Sequence, residues 1–184
     1  MIYLETDRLI LRDYVEEDFP SYYRLKSDKK TMYYLQDLKI DSETLARIDF
    51  EKVLADSKEE LRRFYFFHVE LKESHEPVGS AGYTVTEFTP VGQLVHAGYF
   101  SFPEFWSNGY ITEAFTRIIE FAFAENDVYR ITTGCLQENS PSERVMQKCG
   151  LIKEAEHLNS EWHDGNVKTR VEYRLLKEEW PDIH

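Results

Sequence analysis

The sequence contains few residues of the kinds that define several large classes of protein. Its 184 residues include two cysteines, Cys135 and Cys149, too few for a disulfide framework and suited to a reducing compartment. No apolar run is long enough to cross a membrane, and residues 1–7 lack the basic start and apolar stretch of a signal peptide. The six histidines have no metal-ligand spacing, so no metal is expected. We therefore expect a cytoplasmic protein that binds neither metal nor membrane.

Positive charge is scarce as well. With 22 basic and 34 acidic residues, the net charge at pH 7 is −12. Nucleic-acid binding requires a basic face, so no nucleic-acid partner is expected. A cationic partner fits better, although an acidic surface also serves solubility. The 42% hydrophobic and 15% aromatic content argues against disorder. The length and the lack of repeats or linkers predict one domain over residues 1–184.

Hydrophobic periodicity predicts an α/β (α+β mixed) fold. The order β-α-α-β-β-β-α-β-α-β-β describes a central mixed, mostly antiparallel seven-stranded sheet with helices on both faces. An apolar stripe marks the helix at 112–126, and the strand directly after it implies a right-handed crossover and a parallel neighbour. The predicted strands span 8–12, 64–71, 78–87, 94–102, 128–136, 151–162 and 167–176. The predicted helices are one opened by Asp18 as a capping acid, then 44–57 with Leu45, Ile48, Val53 and Leu54 as its apolar residues, 112–126 and 142–149.

The segment most informative about chemistry joins the strand at 94–102 to the helix at 112–126. Its loop contains Ser107, Asn108 and Gly109. The N–H groups at a helix N-terminus, together with the positive end of the helix dipole, favour an anion, and a glycine lets the backbone approach a phosphate closely. From the residues alone this is a weak indication of a phosphate site, and an ordinary strand-to-helix turn is the better explanation of the loop.

Three blocks of sequence strengthen the first interpretation. Residues 5–12 read ETDRLILR and residues 139–151 read NSPSERVMQKCGL. Between them, the pattern G-Y-x-h-x-P-x-x-W-G-K-G-Y-A-T-E-A is matched at Gly98, Tyr99, Pro103, Trp106, Gly109, Tyr110, Thr112, Glu113 and Ala114. Together the blocks resemble the GNAT superfamily of N-acetyltransferases, and within it the RimJ/RimL-type branch of ribosomal-protein N-acetyltransferases.

The resemblance implies an acyltransferase that uses acetyl-CoA and no metal. It would move an acetyl group to a primary amine by direct attack of the amine on the thioester. The acceptor would be a protein N-terminus or a small amine, and the acidic balance favours a cationic one. A homodimer is common among relatives and is therefore an expected assembly.

The resemblance also implies a set of site residues. Backbone groups of Phe100, Ser101 and Phe102 would pair with the pantetheine arm, and the N–H groups of the loop would hold the pyrophosphate. Ser142 would protonate the leaving thiolate, because Met146 stands where many members carry a tyrosine. The implied cofactor contacts are Phe100, Ser101, Phe102, Trp106, Ser107, Asn108, Gly109, Tyr110, Ile111, Thr112, Asn139 and Ser142.

The general base is less well defined. Glu104 lies close to the loop at 107–109, Glu161 lies in the late strand at 151–162, and Glu87 and His96 lie on or near the central strands. We take Glu161 as the acceptor-side catalytic candidate, with a water relay as the alternative. Several residues also depart from the family pattern, namely Ser107, Asn108, Ile111 and Met146. These departures keep two other functions open: a catalytically inactive CoA-binding sensor or regulatory domain, and a partner-binding module without a CoA site.

Overall fold

The computed structural model describes residues 1–180, which form eight strands and four α-helices. Hydrogen bonds connect the strands in the order β1-β2-β3-β4-β5-β6-β8-β7. β5 and β6 run parallel, as the predicted crossover requires. The strands are β1 Tyr3–Glu5, β2 Leu9–Arg12, β3 Phe64–Leu71, β4 Pro77–Thr89, β5 Gly92–Ser101, β6 Val128–Leu136, β7 Ile152–His163 and β8 Asn166–Leu176. The helices are α1 Phe19–Ser27, α2 Glu43–Asp56, α3 Tyr110–Glu120, which continues into a π-helical turn at Phe121–Glu125, and α4 Ser140–Lys148.

Two compact units share the chain. The first comprises Met1–Thr84 and Gly98–Ile118, and the second comprises Val85–Ala97 and the chain from Ile119 onward. The predicted single-domain organisation stays a prediction. No helix within residues 1–180 is long and apolar enough to span a membrane.

In the first unit, β1 is a strand that the sequence analysis missed, so the predicted count of seven is one too low. β1 pairs antiparallel with β2 in the register Leu4↔Leu11. Its start is fixed by the N–H of Ile2, which donates to Asp13 Oδ2 at 2.7 Å. Only Leu4 is buried among its three residues, so the segment is too short to show the alternation that identifies a strand.

Asp18 does not cap α1 with its side chain, contrary to the prediction. Its carboxylate instead accepts hydrogen bonds from the Arg12 guanidinium at 2.7 and 2.9 Å and from the N–H of Val15 at 2.8 Å. Because Arg12 is itself largely enclosed, the buried ion pair uses the acceptor oxygens that a cap would need.

The core face of α2 differs in part from the prediction: Val53 and Leu54 pack against the core as expected, but Leu45 and Ile48 do not. Ala46 and Phe50 are fully buried, whereas Leu45 and Ile48 are 60% and 46% exposed. Phe50 lies in an aromatic cluster with Tyr14, Phe19 and Tyr22, so the helix rotates to bury its largest ring. Apolar character alone does not distinguish this face from the one carrying Leu45 and Ile48.

In the second unit, the predicted strands at 151–162 and 167–176 are joined as a hairpin. β7 and β8 pair antiparallel up to His163↔Asn166, and Asp164 and Gly165 between them have φ values of 48° and 76°. Two successive positive φ angles are typical of the two-residue hairpin turn whose twist matches the strands.

The apolar stripe of the third predicted helix is also buried throughout: Ala114, Phe115, Ile118, Ile119, Ala122 and Phe123.

Candidate active site

The loop before α3 has the backbone geometry of an anion site. Ser107 and Gly109 both adopt positive φ angles, 63° and 79°. The carbonyl of Gly109 accepts the N–H of Glu113 at 3.0 Å, so α3 begins there and the N–H groups of Tyr110 and Ile111 have no acceptor within the helix. Left-handed residues in such a turn direct backbone N–H groups into a common concavity. We call residues 106–112 the phosphate loop.

The end of β5 presents its backbone groups in an alternating pattern. The N–H of Phe102 donates to Val78 of β4 at 3.0 Å, and the Phe100 carbonyl faces Gly79 of the same strand. Backbone groups of successive residues in a strand point to opposite edges, so Tyr99 and Ser101 face away from β4. The three residues predicted for the pantetheine arm therefore do not share one edge. Tyr99, which was not among them, lies on the same edge as Ser101, as the alternation of a strand requires.

Trp106 braces the phosphate loop against β5. Its indole N–H donates to the Ser101 carbonyl at 3.0 Å, and the Thr31 hydroxyl donates to the same carbonyl at 3.2 Å. The Asn108 side chain donates back to the Trp106 carbonyl at 3.1 Å. The exposed loop thus has a defined shape, although Asn108 replaces the basic residue of the family pattern.

Arg8 and Glu113 are part of this loop's surroundings, and neither was predicted as a site residue. Arg8 Nε donates to Glu113 Oε2 at 2.7 Å, and Arg8 Nη1 donates to the Asn108 carbonyl at 3.1 Å. The Thr6 hydroxyl donates to Glu113 Oε1 at 2.6 Å. Burial opposes ionisation, but these hydrogen bonds keep the pKa of Glu113 below its ordinary value. All three residues lie within the blocks that carry the family resemblance, which was the available signal.

In the second unit, β6 has an edge that extends beyond its pairing with β5. Within residues 1–180, the register joins β5 to β6 only from Gln93↔Val128 to His96↔Thr132. The rest of β6 leads into α4, whose first turn is capped by Asn139: its side chain accepts the N–H of Ser142 at 3.4 Å. The predicted cofactor contact Asn139 therefore also has a local structural role.

Ser142 lies beside a sulfur atom. Its hydroxyl hydrogen-bonds to the Cys135 side chain, while the Cys135 thiol donates to the Asn139 carbonyl at 3.8 Å. Burial raises the pKa of Cys135 to about 11, so the thiol stays protonated and is a poor nucleophile. Met146 is fully buried, which places the position of the family tyrosine in the core. In the first turn of α4, Ser142 is thus the residue whose hydroxyl lies near the Cys135 sulfur.

His96 and Thr132 lie at the last pair of the β5–β6 ladder. The Thr132 hydroxyl donates to the Val95 carbonyl at 3.0 Å, so its oxygen accepts from His96 Nδ1, 3.3 Å away. This arrangement leaves the proton of neutral His96 on Nδ1 and a lone pair on Nε2. Desolvation lowers the pKa of His96, with Glu172 opposing the shift and Arg170 adding to it.

Two carboxylates and an arginine occupy the same face of the second unit as His96. Arg170 contacts Glu161 at 3.1 Å and Glu172 at 2.5 Å. A Cβ at Gly134 would overlap the Glu172 carboxylate, so the glycine makes room for that group above β6. Side chains alternate along a strand, which puts Thr132 and Cys135 on opposite faces of β6. The His96 side and the Ser142 side of the second unit are therefore opposite.

The remaining candidates for the base are less suitable. Glu104, in the first unit, forms an ion pair with Arg24. Its own backbone N–H and the Arg24 guanidinium lower the pKa of Glu104 against the opposing effect of burial. Glu87 is exposed. Within residues 1–180, no group of three or more His, Cys, Asp or Glu side chains could hold a metal ion.

Comparisons with known proteins agree with this geometry. An acetyltransferase (GNAT) domain model matches residues 8–152. The uncharacterized N-acetyltransferase YnaD of Bacillus subtilis is 28% identical over 97% of this chain and 99% of its own length. A GNAT-family acetyltransferase from Bacillus anthracis superposes with a TM-score of 0.81 at 24% identity, over 97% of this chain and 100% of the other.

Two further solved structures share the fold. A spermidine N-acetyltransferase from Vibrio cholerae, in complex with CoA and spermine, has a TM-score of 0.80 at 16% identity and covers 96% of this chain and 99% of its own. A ribosomal-protein-S5-alanine acetyltransferase from Vibrio fischeri has a TM-score of 0.81 at 18% identity, with 98% and 99% covered. The predicted fold class, the acyltransferase class and the acetyl-CoA cosubstrate are thereby confirmed. Because the matched domain extends over most of the sequence, the chain belongs to the GNAT acetyltransferase family.

Proposed function

We propose that the phosphate loop binds the pyrophosphate of acetyl-CoA and that the second unit supplies the acid and the base for acetyl transfer to a primary amine. The observation that carries the proposal is the turn at Ser107 and Gly109, whose positive φ angles gather backbone N–H groups at the start of α3. Acetyl-CoA supplies the activated acetyl group as a thioester. The proposed partners of the pantetheine arm are the edge groups of Tyr99 and the N–H of Ser101, whose carbonyl already accepts from Trp106 and Thr31.

The proposed acid is Ser142. When the amine nitrogen bonds to the thioester carbon and the C–S bond breaks, the departing thiolate needs a proton. The Ser142 hydroxyl donates it and regains one from solvent. The support for this assignment is the position of Ser142 in the first turn of α4, beside the Cys135 side chain. Asn139 supports this position by capping the turn that carries Ser142.

The proposed base is His96, acting through Nε2. Since Nδ1–H is held by Thr132, Nε2 accepts the proton that the amine loses as it attacks. In this arrangement the amine approaches the thioester from the face of β6 that carries His96. The leaving sulfur is protonated by Ser142 from the opposite face. Glu161, the carboxylate proposed from the sequence, is already engaged in an ion pair with Arg170. Because Arg170 also pairs with Glu172, the group of two carboxylates and one guanidinium keeps a net negative charge that favours a cationic acceptor.

The pH dependence tests the role of His96. Because the pKa of His96 lies below 6.5 in the folded protein, the neutral base is present at pH 7 and is lost only as the pH falls through that lowered pKa. After correction for the fraction of neutral amine, kcat/KM should stay flat from pH 8 to about 6.5 and fall below it. His96→Gln should lower kcat/KM about a hundredfold and remove this acid limb.

A matched control is His75→Asn. His75 is a well-exposed histidine of the first unit with a φ of 58°, a conformation that asparagine tolerates. Its variant should keep the wild-type profile. An acid limb that survives in His96→Gln would exclude His96 as the base.

We propose a primary amine with additional positive charge as the acceptor. The support is the net charge of −12 and the Glu161 and Glu172 carboxylates on the His96 side. A fold relative acts on spermidine and another on a ribosomal protein, which makes small polyamines and protein N-termini the two classes to compare. The homodimer expected from the family resemblance and the cytoplasmic location expected from composition both stay proposals, and light scattering tests the first.

Release of free CoA thiol from acetyl-CoA in the presence of candidate amines tests the acceptor class. The most direct comparison is between 1,4-diaminobutane and n-butylamine, which have equal chain length and differ in one charged group. Spermidine and a peptide that begins with alanine represent the polyamines and the protein N-termini. We expect the diamine to exceed the monoamine at least tenfold and Glu172→Gln to reduce that ratio. Equal rates would refute the charge preference, and CoA binding without thiol release from any amine would favour the inactive sensor.

A further inference from the structure

The phosphate loop lacks a basic side chain of its own, and a carboxylate lies next to it. Asn108 occupies the position of the basic residue in the family pattern, and Glu113 brings a negative charge into the first turn of α3. A lowered pKa keeps Glu113 ionised. A carboxylate so close to a bound pyrophosphate would repel it unless a cation compensates.

Arg8 is the cation placed against that carboxylate. Its Nε and Nη2 atoms lie 2.7 and 2.6 Å from Glu113 Oε2, and its backbone N–H donates to Glu113 Oε1 at 2.9 Å. The same guanidinium donates through Nη1 to the Asn108 carbonyl at 3.1 Å and lies 4.5 Å from the centre of the Tyr110 ring. One side chain thus connects Asn108 and Tyr110 of the phosphate loop to Glu113 in the first turn of α3.

Stability alone does not account for this arrangement. The Arg8 side chain is 48% exposed, and ion pairs at such positions contribute little to folding because solvent screens them. The guanidinium is nevertheless fixed by two hydrogen-bond acceptors and a ring face. A guanidinium held in this way is suited to balancing the charge of Glu113 and to holding the backbone of the phosphate loop in one conformation.

We propose that Arg8 is a positioning residue for cofactor binding: it neutralises Glu113 and, through Asn108, fixes the backbone N–H groups of the phosphate loop. The inference rests on the proposed pyrophosphate role of that loop. It gives the N-terminal segment, 100 residues earlier in the chain, a charge-neutralising role at the loop. The recognised group is the pyrophosphate of the CoA moiety.

A double-mutant cycle on CoA binding tests the proposal. The dissociation constant for CoA is measured by calorimetry for wild type, Arg8→Gln, Glu113→Gln and the double variant. Arg8→Gln should weaken binding about tenfold or more, as expected for losing a charged partner. In the Glu113→Gln background the same change should weaken binding about threefold or less, because no unpaired carboxylate remains. A merely structural Arg8 would show no such rescue.

The control variant is Arg47→Gln. Arg47 also pairs with a carboxylate, Glu16, and also stacks on a ring, 3.5 Å from the centre of Phe19, but it is remote from the loop in sequence. Its variant should bind CoA within about twofold of wild type. Equal losses from Arg8→Gln in both backgrounds, or no loss in either, would overturn the assignment of Arg8. Absence of CoA binding by the wild-type protein would instead overturn the proposed function of the loop.

Discussion

Ser142→Ala is expected to lower kcat by about a hundredfold while the dissociation constant for CoA stays within about twofold. The hydroxyl is the group that we assign to the leaving thiolate, so its loss affects the step in which the C–S bond breaks. The turn itself persists, because Asn139 caps it through the Ser142 backbone N–H, which alanine retains. Steady-state kinetics with a saturating amine, together with calorimetric titration of CoA, separate the two effects.

Ser140→Ala is the matched control for this prediction. Ser140 is the exposed first residue of α4, and the substitution removes an identical hydroxyl from the same turn. It should leave both kcat and the CoA dissociation constant unchanged. Undiminished turnover in Ser142→Ala would remove Ser142 from the mechanism, and a loss of CoA affinity equal to the loss in kcat would make it a binding residue.

Gly79→Ala is expected to destabilise the protein by about 3 kcal/mol and to abolish CoA binding at ordinary concentrations. A Cβ at Gly79 would overlap the Phe100 carbonyl oxygen and lie 2.7 Å from Ser101 Cα. Both are backbone atoms, which relieve a clash only by moving β5. The shift displaces the Ser101 edge that we assign to the pantetheine arm, so stability and cofactor affinity fall together.

Urea denaturation and CoA titration of the same samples check this expectation. Gly98→Ala is the control: its Cβ would lie 3.4 Å from the outer ring atom of Phe66, a side chain that can adjust. It should cost less than about 1 kcal/mol and keep CoA affinity. Wild-type stability in Gly79→Ala would show that β4 and the end of β5 are not in close backbone contact.

The sequence determines those parts of the site that depend on local pattern. The apolar stripe from Ala114 to Phe123 identifies the helix after the phosphate loop, and Gly109 lies at the start of that helix as the motif predicts. The parallel pairing of β5 and β6 follows from the crossover. These features are predictable because neighbours in sequence are neighbours in the structure.

Contacts between distant residues were not predictable in the same way. Arg8 meets Glu113 across 105 residues, and nothing in either segment specifies the other as its partner. The tautomer of His96 depends on a hydroxyl of β6 that is 36 residues away. In α2, the choice of Phe50 over Ile48 as a core residue depends on rings contributed by other segments. Packing and pairing of this kind are settled only when the segments fold against each other.

The account's central claim is that the folded protein binds acetyl-CoA, and the shift in melting temperature on titrating acetyl-CoA tests it most directly. A ligand that binds only the folded state, at about 100 times its Kd, adds ~2.7 kcal/mol of stability. For a chain of this size that raises Tm by about 5–10 °C, and Ser142→Ala should show the same rise. An unchanged Tm up to millimolar acetyl-CoA would contradict the claim and, with it, the proposed role of the phosphate loop.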